Sequence, residues 1–145
     1  MAFSTTTVPG DGSTRQFPVN FTLGFINRSD VKVRVGSEVD GTGAPSYRTL
    51  TWLNDGLVEI QGIIPGVDEE VVFTRTVNAE ELIHDFEGDS AITEENLDQS
   101  HKQVIMLAHQ ILDGRFTDPF QQDLDMDGNT IINVRDPLAD GDIAN

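Results

Sequence analysis

A chain of 145 residues suits one domain that buries a core without covalent staples. It contains no cysteine, which excludes disulfides, thiolate-ligated zinc and a cysteine nucleophile. Nine Lys plus Arg against 25 Asp plus Glu give a formal net charge of −16, which opposes nucleic-acid phosphates and anionic lipid and leaves solubility, a salt-rich habitat or a basic protein partner as uses for so acidic a surface.

The opening, MAFSTTTVPGDGSTRQF, has neither a basic leader nor an apolar stretch of secretory length. No later run approaches the roughly 20 apolar residues of a membrane span. The chain is therefore expected to be soluble and made without export. Up to about residue 77 the signals are strand and turn. Phe17, Val19 and Phe21 alternate with Pro18 and Asn20, and Val31, Val33 and Val35 with Lys32 and Arg34, the period of a half-buried strand. Leu57 to Ile60 and Val71 to Thr74 complete the set. Breaker clusters at Gly10–Ser13, Gly41–Pro45, Asn54–Gly56 and Ile64–Gly66 separate them, and Asn54-Asp55-Gly56 is the clearest hairpin turn. Short strands with a turn every ten or so residues predict a small antiparallel sandwich or barrel, of which the sandwich, over 1–92, is the expected form.

An amphipathic helix follows, over 93–114. Thr93 is placed to cap the first free amides, Glu94 and Glu95 sit at the positive end of the macrodipole, and Gly114 suits a left-handed stop. Leu97, His101, Val104, Ala108 and Ile111 are spaced four, three, four, three, the a/d spacing of a packing seam. Ile105 and Leu112 form a second apolar line that widens the face expected to be buried. On periodicity alone, packing within one monomer is the plainer reading. A second copy of the helix is the other, with small Ala108 and polar His101 allowing close approach.

Residues 115–145 read as an extended segment. It holds Pro119, an acidic run from Asp123 to Asp127, and the short apolar strand Ile131-Ile132-Asn133-Val134. Asp136 before Pro137 disfavours helix. The spacing Asp123-x-Asp125-x-Asp127-Gly128 matches the first half of a calcium loop, but Val134 stands where the bidentate Glu belongs, so a solvated acidic turn is the expected reading and a calcium-dependent binding module an alternative. The histidines form no site by spacing: His84 lies beside Asp85, and His101 and His109 are about 80° apart around a helix, each expected at the surface or the seam. No phosphate cradle, nucleophile elbow or zinc-protease motif is present. One Trp and one Tyr offer little stacking platform for sugars, which argues against a glycan depolymerase.

Three stretches together resemble the N-terminal domain of tail fibres and tailspikes of T7-type podoviruses. Asp11-Gly12-Ser13-Thr14-Arg15-Gln16-Phe17 is similar to that family's opening D-G-S-x-R-x-F. Arg75-Thr76, then Asp85-Phe86-x-Gly88-x-Ser90-x-Ile92 and the helix with Gln99 and Gln103, resemble its R-x-T…D-F-x-x-G-S-x-L segment, although Asp89 splits the glycine and serine. Asp127-Gly128-Asn129-x-Ile131-Ile132-Asn133-Val134 with Asp136-Pro137 resembles the element where such domains hand over to the fibre shaft.

The resemblance implies a non-enzymatic virion tail protein, made in the host cytoplasm, that attaches a receptor-binding fibre to adaptor and nozzle proteins of the tail. It also implies a homotrimer, which shifts the expectation for Leu97, His101, Val104, Ala108 and Ile111 to a trimer seam, with the rest of the apolar face, Ile105 and Leu112, packed on the chain's own sandwich. By charge, Asp68, Glu69, Glu70, Glu80 and Glu81 are the expected tail contacts, and Ile131 to Val134 the start of the shaft. No cofactor, nucleic acid, membrane or small-molecule substrate is expected. The receptor-binding part is not within these residues, so the chain reads as the anchoring piece of a longer fibre or as a short adaptor onto which another fibre docks.

Overall fold

The computed structural model describes residues 2–88 and 91–115. Among these residues six strands and one α-helix follow in order: β1 Thr5–Pro9, β2 Gln16–Pro18, β3 Val31–Val35, β4 Leu50–Asn54, β5 Leu57–Ile60, β6 Glu70–Arg75 and α1 Glu94–Leu112, with a short 3-10 turn at Arg28–Asp30 before β3. They make two three-stranded antiparallel sheets, ordered β1-β6-β3 and β2-β5-β4. The alternating valines of β3 point inward together with Val71 and Phe73 of β6, and across from them lie Phe17, Val58 and Ile60 of the second sheet. Val19, Phe21 and Val31 close the ends of this core. The mainly β architecture with a single helix is the one that the strand and helix periods predict.

The Asn54 turn is a hairpin, with Asn54 opposite Leu57 and Asp55-Gly56 as the loop, and the Asn54 carboxamide accepts from the Gly56 amide at 2.8 Å. The strand expected through Phe21 is shorter. Pairing stops at Pro18, after which Val19 donates to the Gly56 carbonyl and the chain turns, with Gly24 donating to the Phe21 carbonyl. Val19 and Phe21 stay buried all the same, so their alternation reports burial and not ladder pairing. The first strand, Thr-Thr-Thr-Val-Pro, has no apolar alternation. It forms because β-branched residues fit an edge, and Pro9 ends it where no amide is needed.

The registers give the sandwich two distinct ends. At one, Ser4 pairs with Arg75 and Asp30 with Thr76 through backbone hydrogen bonds, and the Asp55 turn lies nearby through Arg28. At the other, the end of β1, the end of β3 and the start of β6 meet the loop 61–69: Gly10 donates to Glu69, Gly12 to Pro65 and Gly36 to Glu70. Gly10 passes so close to the carbonyl oxygens of Pro65 and Gly66 that any side chain there would clash.

Candidate functional site

Thr93 caps α1 by accepting from the Asn96 amide at 3.1 Å, with Glu94 and Glu95 in the first turn. Gly114, at φ +69°, closes it, and Arg115 donates its amide to the Gln110 carbonyl at 2.8 Å, satisfying one of the last free carbonyls.

The buried face of α1 is Gln103, Met106, His109 and Gln110, mostly polar. The two glutamines dock the helix by hydrogen bonding to backbone. The Gln103 carboxamide accepts from the Ile83 amide and donates to the carbonyls of Asn78 and Glu81. That of Gln110 accepts from the Val77 amide at 2.7 Å. His84 meets Gln99 at 2.6 Å. His109, expected at the surface or the seam, is instead buried against Phe3, with ring centroids 4.6 Å apart. Its Nδ1 lies 3.1 Å from Nη2 of Arg75. A guanidinium only donates, so the imidazole accepts at that atom.

The end of the helix is fastened to the first strand. Asp113 stands where the macrodipole opposes a carboxylate, but its oxygens accept from the amides of Phe3 and Ser4 and from the Ser4 hydroxyl. Burial works against its ionisation, yet those hydrogen bonds, with Arg115 nearby, outweigh it and hold the carboxyl below its ordinary value. Arg115 donates to the Arg75 carbonyl at 2.7 Å and to the Thr76 hydroxyl at 2.6 Å.

Opposite this joint lies the apolar face. At about 100° per residue, Leu97, His101, Val104, Ile105, Ala108, Ile111 and Leu112 share one arc of about 120°, directed away from the buried face, and all are exposed. Val104 is 67 %, Ile111 62 % and Leu112 71 % exposed. The expectation that Ile105 and Leu112 pack on the chain's own sheet is therefore overturned. The reason is that the joint is made by amide side chains and a guanidinium reaching backbone groups, which leaves the whole apolar stripe unpartnered within the chain. Gln103 and Gln110, seven apart and opposite the stripe, were the signal for it.

The acidic residues expected at the tail fall into two places. Asp68, Glu69 and Glu70 lie at the 61–69 end of the sandwich, with the Glu69 carboxylate turned back to accept from the Gly66 amide at 2.8 Å. Glu80 and Glu81 belong to the loop under α1, beyond the other end of β6. Ile131, Ile132, Asn133 and Val134, the acids Asp123, Asp125 and Asp127, and all but the first residue of the 115–145 segment lie outside the described residues. Among the described residues no group of three or more His, Asp or Glu is placed to hold a metal ion, and no helix is long and apolar enough to cross a membrane.

The family described as the phage T7 tail fibre protein, N-terminal domain, matches the chain over residues 1–129. A search of curated proteins finds no match.

Proposed function

The chain belongs to the phage T7 tail fibre N-terminal domain family and is a structural component of the virion tail; from that premise we propose that it anchors a fibre to the tail's adaptor and nozzle proteins as a homotrimer whose copies meet along the exposed face of α1. One observation supports this reading above the others: the helix turns its polar side inward and its apolar side to solvent. A stripe of that kind along 19 helical residues is costly in water and stable only when covered. Its heptad places Leu97, Val104 and Ile111 at one seam position and His101 and Ala108 at the other. Three helices meeting there give parallel chains one common axis, as a shaft continuing from their C-terminal ends requires.

Light scattering on the purified full chain is expected to give the mass of three chains. Val104→Glu is expected to shift it toward one, because Glu is harmless on the exposed monomer face but becomes an unpaired buried charge at the seam. A parental mass of one chain would refute the trimer, and an unchanged mass in the variant would move the seam elsewhere.

A further inference from the structure

The loop at the far end of the sandwich combines two properties that seldom coincide. Its apolar tips are exposed, Ile63 at 81 % and Val67 at 70 %, and yet its backbone is tied down on both sides of them. The Arg15 guanidinium donates to the Gly62 carbonyl and that of Arg48 to the Ile63 carbonyl, while Glu38 holds Arg48 in place. Gly12 donates to Pro65 at 2.9 Å and Gly10 to Glu69 at 2.8 Å, and Pro65 is fully buried. The carboxylates of Asp11 and Asp40 accept from amides of their own neighbouring turns, Ser13 and Thr14 for one and Thr42 and Ala44 for the other. Two branched apolar side chains are thus held out to water on a loop whose backbone is tied at Gly62, Ile63, Pro65, Gly66 and Glu69. Val39, itself exposed, adjoins this surface across a depression shared with Tyr47 and Gly62.

Position adds a second argument. Arg115, the last residue described, is bound to Arg75 and Thr76 at one end of β6, whereas the 61–69 loop meets the other end, about 20 Å away for six residues of strand. The surface remote from Arg115 is the one that the anchor reading leaves to grip the tail. Asp68 and Glu70 stand exposed at this same end. Of the two acidic groups, it is this one that coincides with exposed apolar side chains and with the end of β6 remote from Arg115.

Resting on the anchor reading, we infer that the 61–69 loop is the tail-gripping surface, with Ile63 and Val67 inserting into apolar pockets of a tail protein whose lysines or arginines face Asp68 and Glu70. Preorganisation serves this role, since a rigid loop loses little freedom on docking.

The test uses the full chain, with tails of its own phage that lack the fibre as the probe. Ile63→Asp with Val67→Asp is expected to keep the parental mass and melting temperature, because both side chains are solvent-exposed, but to lose about a hundredfold or more in affinity for tails. Leu82→Asp, equally exposed but in the loop under α1, is expected to bind as the parent does. Undiminished binding by the double variant would overturn the inference, as would release by Leu82→Asp alone. A change of mass in the double variant would also overturn it, by assigning the loop to contact between copies. Failure of the parental chain itself to bind tails would instead refute the anchor reading from which the inference proceeds.

Discussion

Arg75 is the residue on which the two halves of the molecule converge. Its fully buried guanidinium donates to the Thr22 carbonyl at 2.8 Å and to that of Gly24, reaches His109 on the helix, and lies over the Phe21 ring at 5.4 Å. Between the two carbonyls sits Leu23 at φ +67°, a left-handed conformation that a leucine adopts only when its surroundings enforce it. Arg75 pins the carbonyls on either side of it, and the Gly24 amide closes the turn onto Phe21. Burial pulls its pKa down and the charges of Asp113 and Asp30 push back, with Arg115 opposing, but a guanidinium stays protonated throughout. An ammonium is a single point and cannot span two carbonyls and a ring nitrogen. Arg75→Lys is therefore expected to cost about 2 kcal/mol, and Arg75→Ala, which strands all three acceptors, about 3 to 5 kcal/mol, measured by urea denaturation. Equal stability of the lysine variant and the parent would show that charge alone suffices there.

The helix as an element rests on its glutamines. Gln103 matches three backbone groups of the 78–83 loop with one carboxamide, so Gln103→Leu keeps the volume but leaves an amide and two carbonyls to find water. The expected cost is about 2 kcal/mol, with amide exchange at Ile83 accelerating while that of the β6 core stays slow. Unchanged protection at Ile83 would remove Gln103 from the joint. The same element shows where a sequence is legible and where it is not. Helix ends depend on neighbours in the chain, so Thr93 and Gly114 announce them. Strand β3 declares itself because one-sided burial writes alternating valines, β5 by its alternating burial of Val58 and Ile60, and β6, buried on both faces in its first half, by the continuous apolar run Val71-Val72-Phe73. Which way the helix faces depends on partners remote in sequence, such as Phe3 for Asp113 and Arg75 for His109. The usual premise that apolar stripes point at the chain's own core fails when the joint is made of polar side chains. For β1, an edge strand of threonines, there was no stripe to read, although its β-branched run was a usable sign.

For the molecule as a whole, 25 acidic residues suggest that mild acid, by reducing self-repulsion, would favour the fold. A small set of carboxylates opposes this. Asp11 is held far below its usual pKa by the Thr14 hydroxyl and the Ser13 and Thr14 amides, Glu38 is lowered by its hydrogen bond to Arg48, Asp40 by Thr42, and Asp113 as described. Among the described residues Asp30 goes the other way, raised by burial. A carboxyl whose folded pKa is depressed contributes stability that is complete above its unfolded pKa, about 4, and is lost as pH falls toward the folded value. Stability at fixed protein concentration is therefore expected to be level from neutral pH to about pH 4 and to decline below it. Asp113→Asn is the discriminating variant, because it removes one of these groups at the point where the first strand meets the helix end. It is expected to be less stable than the parent at neutral pH and to show a shallower acid limb, so that the two curves converge in acid. Denaturation followed by helix circular dichroism and by Trp52 fluorescence, which report α1 and the β4 hairpin separately, checks this. Parallel curves would mean that the bonds from Asp113 to Phe3 and Ser4 carry none of the acid sensitivity, which would then have to come from the other depressed carboxylates, Asp11, Glu38 and Asp40.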